Sequence, residues 1–191
     1  NIRRGWITSG ELARWVESGI RGLTSNPSIF QKAIQGSAEY DDEFISSIES
    51  GMDVEASYWQ LVTSDIRAAL GILRPIYDES QGLDGYVSVE VDPALARNSE
   101  GTTTAARELH ERLSEPNLYV KIPGTAEGLL PIQTMISEKR SINVTLIFSV
   151  ERYAEVMEAY ISGLEMADGN LQDISSVASF FISRLDVEVD R

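Results

Sequence analysis

Two kinds of hydrophobic pattern alternate along the chain. In the first, apolar residues recur every three or four positions, which predicts helices with one buried face; these stretches are residues 12–16, 29–34, 44–48, 54–73, 105–113, 129–136 and 156–164. In the second, short apolar or alternating runs end at turn formers, which predicts strands; these are residues 22–25, 85–92, 118–122, 142–148 and 177–182. The pattern therefore predicts strands separated by helices.

Three local signals predict helix boundaries. Thr8 and Glu11 have the spacing of a capping box, so a helix is predicted to begin there. Ser149 is predicted to cap the helix that follows residues 142–148. Pro75 is predicted to break the long helix after residue 73, because proline lacks the N–H of a helix hydrogen bond and its ring clashes with the preceding turn.

Alternating strands and helices favour a parallel sheet, as either an open doubly wound sheet or a closed (β/α)8 barrel. The phosphate-binding patterns G-x-G-x-x-G and G-x-x-x-x-G-K-[ST] do not occur in the sequence, which disfavours dinucleotide and nucleoside triphosphate binding. We therefore expect an α/β fold of the (β/α)8 barrel type, with residues 1–191 forming a single domain.

A lysine inside the predicted strand 118–122 is the strongest chemical signal. Lys121 interrupts an apolar run that closes with Pro123 and Gly124. Burial disfavours an ammonium ion, and a lysine held as the free amine can attack a carbonyl to form a Schiff base. The alternative is a lysine whose aliphatic stem packs while its ammonium group reaches solvent.

Strand alternation places other polar groups beside this lysine. Side chains two positions apart on a strand share a face, and in three predicted strands one face is apolar while the other carries polar groups. Those groups are Glu90, Lys121, Asn143 and Thr145. In a (β/α)8 barrel that face is the interior, and its C-terminal end carries the active site. We expect the four groups to converge there; a buried Lys–Glu ion pair retained for structure is the alternative.

The composition narrows the classes of partner. A formal charge of -14, with no basic run, argues against nucleic acid and anionic membranes. The absence of cysteine excludes disulfides and thiolate chemistry and fits a cytoplasmic protein, and no apolar run approaches the roughly 20 residues of a membrane span. His110 is interpreted as an ordinary helix residue. With one histidine and no cysteine, the usual zinc ligand sets cannot be assembled, so no metal is expected.

Two motifs resemble the signatures of the transaldolase family. Residues 22–30, Gly-Leu-Thr-Ser-Asn-Pro-Ser-Ile-Phe, are similar to the first signature, and residues 120–128 are similar to the second, which surrounds the Schiff-base lysine. Residues 142–149 and 179–186 also resemble stretches of that family, above all of its longer bacterial members. The resemblance covers nearly the whole chain and implies a (β/α)8 barrel.

The resemblance implies a role for each matching residue. Lys121 would attack the ketose carbonyl, while Glu90 and Thr145 would hold a water that shuttles protons. The other matches would bind substrate: Asn26 and Asn143 at the hydroxyls of the dihydroxyacetone unit, Ser179 and Arg184 at the sugar phosphate, and Phe181 as an aromatic wall of the pocket. Taken alone, Asn26 is more typical of a turn and Arg184 of a surface arginine.

The implied reaction transfers a dihydroxyacetone unit from a ketose phosphate, such as sedoheptulose 7-phosphate, to an aldose phosphate, such as glyceraldehyde 3-phosphate. It belongs to the pentose phosphate pathway. It needs no cofactor, since the protonated imine serves as the electron sink, and its partners are sugar phosphates. A fructose 6-phosphate aldolase and a non-catalytic barrel segment remain alternatives.

The family's first strand and its last two strands have no counterpart among the matching residues. The resemblance therefore implies an incomplete barrel, from about helix 1 to strand 6. We expect such a segment, expressed alone, to be inactive and prone to aggregation, because its strand edges are unpaired. Both a monomeric and a homodimeric protein remain open.

Overall fold

A computed structural model describes residues 2–191. Its helices are α1 (Arg4–Thr8), α2 (Glu11–Glu17), α3 (Pro27–Gln35), α4 (Asp41–Glu49), α5 (Val54–Glu79), α6 (Ser99–Leu113), α7 (Leu129–Ser137), α8 (Val150–Met166) and α9 (Ile182–Val189). Its strands are β1 (Leu23–Thr24), β2 (Val87–Glu90), β3 (Leu118–Pro123), β4 (Ile142–Ile147) and β5 (Ser176–Phe180). No helix in this part of the chain is both long and apolar enough to cross a membrane.

Backbone contacts divide the chain into two compact units. The first unit extends to Val89 and includes Arg112–Leu118. The second comprises Glu90–Glu111 and Tyr119–Arg191. In the first unit β1 and β2 pair in parallel. In the second, β3 pairs in parallel with β4, and β4 pairs in parallel with β5.

Strand order distinguishes the two α/β architectures that the pattern left open. A doubly wound sheet reverses its strand order at a switch point, whereas each strand of a (β/α)8 barrel neighbours the next strand along the chain. Within each unit the paired strands are consecutive in sequence, and a helix follows every strand. The predicted (β/α)8 barrel class is confirmed, and residues 2–191 supply five of its eight strands.

The first helices differ from the prediction. Thr8 was expected to open a capping box, but it is the last residue of α1, and its hydroxyl donates to the Arg4 carbonyl at 3.3 Å. Helix α2 begins at Glu11 after Gly10, whose φ of 72° is left-handed. The prediction was wrong because a short preceding helix incorporates Thr8, and Gly10 then supplies the turn that separates the two helices.

The predicted break at Pro75 was also wrong, because α5 runs through it to Glu79. Proline leaves the carbonyl four residues earlier, at Gly71, without its helix hydrogen bond. Gly71 and Pro75 both lie on the exposed side of α5, so water can hydrate that carbonyl. The opposite side of the helix stays buried through Leu73, and this packing holds the helix together.

The remaining element ends agree more closely with the prediction. Ser149 caps α8 as predicted, its Oγ accepting a hydrogen bond from the Arg152 amide at 3.1 Å. The last strand is shorter than predicted: it ends at Phe180, and Ile182 begins α9. Pattern alone assigned Ile182 to the strand because an apolar run continues across the junction.

A buried asparagine aligns the beginnings of β2 and β3 in the first unit. The Asn117 side-chain nitrogen donates to the carbonyls of Leu70, at 3.1 Å, and Gly85, at 2.9 Å. The Asn117 carbonyl in turn accepts a hydrogen bond from the Val87 amide at 3.0 Å. One side chain therefore ties α5 and both strand starts together, which sets where β3 begins.

His110 is more than an ordinary helix residue. In the second unit its imidazole is largely buried, and its Nε2 has no hydrogen-bond partner among the described residues. Burial, helped by the positive charge of Arg140, lowers the pKa of His110 to about 4, although a hydrogen bond to the Ser141 backbone and the charge of Glu138 oppose this shift. The ring is therefore neutral at pH 7.

We predict that His110→Gln removes part of the acid sensitivity of folding. The lowered pKa of the folded state means that the neutral ring stabilises the fold fully above pH 6.5 and that this contribution is lost as the pH falls towards 4. The loss in the free energy of unfolding between pH 7 and pH 4 should shrink by roughly 2–3 kcal/mol in the variant. Urea unfolding at several pH values measures it. An identical pH dependence in the two proteins would show that His110 is not responsible.

Candidate active site

Strand β3 holds the candidate lysine in an apolar setting. All six residues of β3 are buried, and Lys121 is only 8% exposed. The strand forms because Leu, Tyr, Val and Ile suit an extended, buried backbone, and it ends where Pro123 and Gly124 begin a turn. The chain has only two other lysines, Lys32 and Lys139, and both are exposed. Lys121 is thus the one lysine of the chain kept away from water.

A carboxylate meets this lysine directly. The Lys121 Nζ donates to Glu90 Oε2 at 2.8 Å, and the two side chains are 10% and 13% exposed. Glu90 is the last residue of β2. The Val91 amide next to it donates to the Lys121 carbonyl at 3.3 Å, so the backbones hold the two side chains side by side. A proton can pass between amine and carboxylate without any movement of the chain.

The pairing of β3 with β4 adds two polar groups to the same face. Lys121 lies opposite Asn143, and Pro123 lies opposite Thr145. Because paired residues share a face of the sheet, Asn143 and Thr145 lie on the lysine's side, and both are buried. The structure therefore brings together Glu90, Lys121, Asn143 and Thr145, as the alternation of side chains predicted.

Strand β5 contributes a further hydroxyl. The Ser179 Oγ donates to Asn143 Oδ1 at 2.9 Å. This contact fixes the orientation of the Asn143 amide, because its oxygen is held by the serine. The NH₂ group of the amide is then directed away from Ser179, and an amide NH₂ is a suitable donor to a hydroxyl or carbonyl oxygen.

The C-terminal end of β4 departs from simple alternation. Strict alternation along residues 142–148 predicts that Leu146 shares the apolar face of Ile142 and Val144, but its φ of 60° is left-handed, and the pairing of β4 with β5 shifts between Val144 and Ile147. This is a β-bulge, in which one extra residue of β4 reverses the side-chain order beyond it. A left-handed leucine costs roughly 1 kcal/mol. The expected alternation was wrong here because a bulge leaves no mark in the apolar pattern.

Two predicted substrate-binding residues follow β5. Phe181 comes directly after the strand, and Arg184 lies in the first turn of α9, exposed to solvent. The guanidinium carbon of Arg184 is 4.5 Å from the centroid of the Phe181 ring, which is a cation–π contact. None of the ion pairs formed among residues 2–191 involves Arg184, so no carboxylate of those residues lies within ion-pair distance of its guanidinium.

Asn26 belongs to the first unit, where it caps a helix, a local role that its position before Pro27 suggests. It is the N-cap of α3, and its Oδ1 accepts a hydrogen bond from the Ile29 amide at 2.9 Å. The preceding Ser25 donates through its hydroxyl to the Ser88 carbonyl at 2.8 Å, which fixes the end of β1. The part of Asn26 in substrate binding stays a prediction.

The loop after β3 is held by small residues and hydroxyls. Thr125 donates to the Ala96 carbonyl at 2.6 Å and accepts from the Gly128 amide at 3.1 Å. Ser99, at the start of α6, donates to the Glu127 carbonyl at 2.5 Å. These contacts fix the conformation of the loop that follows β3, which begins just after Lys121 in the sequence. Thr125 and Gly128 were recognised in the sequence only as parts of a motif, without this structural task.

Other possible sites are less suited to chemistry. In the first unit a cavity of about 470 Å³ is lined by Trp6, Leu12, Trp15, Ser18, Ile20, Gly22 and Leu23, none of which is charged. Within the described residues, no group of three His, Cys, Asp or Glu side chains is placed to hold a metal ion. The cluster around Lys121 is therefore the candidate active site.

Comparison with known proteins gives consistent matches. Residues 5–191 match the sequence model of the family described as Transaldolase/Fructose-6-phosphate aldolase. Over 190 residues the chain is 47% identical to Transaldolase 2 of Nostoc punctiforme, a match that covers 97% of the chain and 50% of the relative. It is 46% identical to a transaldolase of Trichodesmium erythraeum over 194 residues and 47% identical to one of Saccharopolyspora erythraea over 195 residues. Each of these matches covers the whole chain, and 51% and 53% of the relative respectively. The chain thus spans about half the length of the curated relatives it matches.

We predict that Gly128→Ala destabilises the protein, because a Cβ at this position would lie far inside contact distance of the Pro123 carbonyl oxygen. The free energy of unfolding should fall by roughly 2–3 kcal/mol, as in other overpacked sites. The matched control is Gly71→Ala, where nothing lies near the added Cβ, and a gain of about 0.5–1 kcal/mol is expected for an exposed helix position. Denaturant unfolding measures both, and equal stabilities would contradict the structural role of Gly128.

Proposed function

Because the chain belongs to the transaldolase/fructose-6-phosphate aldolase family, we propose that the protein is a transaldolase that acts through a Schiff base on Lys121. One observation carries the proposal: a single buried lysine lies 2.8 Å from a carboxylate, on a sheet face that also holds an amide and a hydroxyl. Imine chemistry needs these parts: a nucleophilic amine, a proton acceptor beside it and donors for the substrate's oxygens.

In the proposed first half-reaction, the Lys121 amine attacks the ketose carbonyl carbon after passing a proton to Glu90. The carbinolamine that forms loses its hydroxyl as water, with Glu90 returning the proton, and a protonated imine remains. The protonated imine withdraws the electrons of the C3–C4 bond of the ketose, which breaks as the C4 hydroxyl gives its proton to Glu90 through the water held by Glu90 and Thr145. An aldose phosphate leaves, and a three-carbon enamine stays bound to Lys121.

In the second half-reaction, the enamine carbon attacks the aldehyde of the acceptor sugar phosphate. As the new carbon–carbon bond restores the imine, the aldehyde oxygen takes the proton back from Glu90, and water then hydrolyses the imine to release the ketose product and the free lysine. We assign to Thr145 and Glu90 the water that moves protons in these steps, and to Asn143 the hydroxyls of the three-carbon unit. We also assign the reaction to the pentose phosphate pathway, with sugar phosphates as both donor and acceptor, as the resemblance to transaldolases implies.

An aldolase that releases free dihydroxyacetone is the second candidate, because the family's description includes fructose-6-phosphate aldolases. Both activities begin with the same imine. They differ in the fate of the enamine, which is protonated in the aldolase and captured by an acceptor aldehyde in the transaldolase. Turnover of fructose 6-phosphate that requires an acceptor would support the transaldolase, and turnover without one would support the aldolase.

We predict that borohydride reduction in the presence of fructose 6-phosphate attaches a reduced three- or six-carbon unit to Lys121 of the natural full-length protein. Peptide mass spectrometry identifies the modified lysine. Lys32 and Lys139 serve as internal controls, because both are exposed and neither has the buried carboxylate partner that Lys121 has. Lys121→Arg should abolish the modification. Modification of another lysine, or of none, would contradict the proposal.

We further predict that Glu90→Gln separates imine formation from turnover. The amide keeps the shape of the carboxylate but cannot take a proton, so turnover should fall by roughly 10²-fold or more while much of the borohydride trapping persists. Glu138→Gln is the matched control, since it removes another ion-paired glutamate of the second unit, and it should leave turnover unchanged. Near-normal turnover of Glu90→Gln would exclude Glu90 from proton transfer. Equal loss of trapping and turnover would make it a structural partner of Lys121.

A further inference from the structure

A second aromatic ring lies against Phe181. The rings of Phe148 and Phe181 are stacked, with centroids 5.4 Å apart and planes 30° from parallel. Phe148 is the first residue after β4, and it is 38% exposed. The proposed mechanism gives Phe148 no role.

The β-bulge accounts for this stack. Ile147 pairs with Phe180, and the Phe181 amide donates to the Ile147 carbonyl at 2.9 Å. The residues that follow this pair, Phe148 and Phe181, are therefore neighbours on one face. Without the extra residue at the bulge, alternation along β4 would place residue 148 on the face opposite Asn143. The left-handed Leu146 thus directs the Phe148 ring towards the face that carries the candidate site.

The stack also supports a cation. Phe181 carries the Arg184 guanidinium over its ring at 4.5 Å, and Arg184 belongs to none of the ion pairs within residues 2–191. A solvent-exposed arginine without a carboxylate partner samples many rotamers, and ordering it on binding lowers the affinity for an anion. A ring held in place by a second ring restricts where the guanidinium can lie.

We propose that Phe148 is a positioning residue: it fixes the Phe181 ring and, through it, the Arg184 guanidinium that receives the phosphate group of the substrate. This inference rests on the proposed function and on the role that the family resemblance implies for Arg184, which is to bind that phosphate. A chain with a formal charge of -14 repels phosphate at long range. Its phosphate site therefore gains more from a guanidinium already in place than it would in a basic protein.

The test is Phe148→Leu in the natural full-length protein, which removes the ring and keeps an apolar side chain. We expect the KM for fructose 6-phosphate to rise about 3–10-fold and the Kd for inorganic phosphate, measured by calorimetry, to rise by the same factor. The kcat should change less than twofold, and borohydride trapping with dihydroxyacetone, which has no phosphate, should be unchanged. Phe148→Tyr should restore phosphate binding.

Two comparisons isolate the route through Arg184. Phe148→Leu combined with Arg184→Ala should bind phosphate no more weakly than Arg184→Ala alone, because Phe148 acts only through the guanidinium. Tyr153→Leu is the matched control: Tyr153 contacts Phe180 edge-on at 6.1 Å, and its loss should leave phosphate affinity unchanged.

Three results would overturn the inference. These are unchanged phosphate affinity in Phe148→Leu, unchanged affinity in Arg184→Ala, and loss of dihydroxyacetone trapping in Phe148→Leu, which would indicate a general structural role. Failure of the proposed function has a different signature. Lys121 of the unaltered protein would then trap neither fructose 6-phosphate nor dihydroxyacetone, while calorimetry with inorganic phosphate would still decide the part of Phe148.

Discussion

The candidate site depends on the burial of one ion pair. An ammonium and a carboxylate lose several kcal/mol of hydration on entering a protein interior, and apolar residues of similar size often stabilise a fold better. Lys121, inside β3, and Glu90, the last residue of β2, are nevertheless nearly out of contact with water. Each is tolerated because the other is 2.8 Å away, and the hydrogen bond from the Val91 amide to the Lys121 carbonyl helps to hold the two side chains at that distance.

The proposed phosphate-binding end of the site follows a different principle. Its cation, Arg184, is exposed and belongs to no ion pair of residues 2–191, so aromatic surface restrains it in place of a carboxylate. A carboxylate would hold the guanidinium more firmly, but it would also compete with an anionic ligand for the same donors. A ring restrains the guanidinium without occupying its N–H groups. The left-handed Leu146 directs the Phe148 ring towards Phe181. Backbone strain of this kind persists only where the surrounding structure holds it in place.

The sequence was sufficient for the features that depend on neighbours along the chain. The alternation of strand and helix, the cap at Ser149 and the shared face of Lys121, Asn143 and Thr145 follow from local periodicity, and the structure reproduces them. The failures depend on contacts between distant residues. Pro75 stays within a helix because the carbonyl that it leaves unpaired faces solvent, and pattern alone does not identify that side with certainty. The bulge at Leu146 arises from the pairing of β4 with β5, and the buried Nε2 of His110 depends on what packs over α6.

The burial of Lys121 bears on the choice between transaldolase and fructose-6-phosphate aldolase, the two activities named in the family's description. In the proposed mechanism both activities pass through the same enamine, and protonation of its carbon gives the aldolase outcome. An acceptor aldehyde competes with that protonation only if acid reaches the enamine slowly. Lys121 and Thr145 are almost completely buried, and Glu90 lies directly on the lysine nitrogen rather than towards solvent. Bulk water therefore has little access to Lys121 within the described part of the chain, and the proton sources of the proposed mechanism are confined to Glu90 and the water that it holds with Thr145. This confinement favours a long-lived enamine, and a long-lived enamine favours transfer to a second sugar over release of dihydroxyacetone.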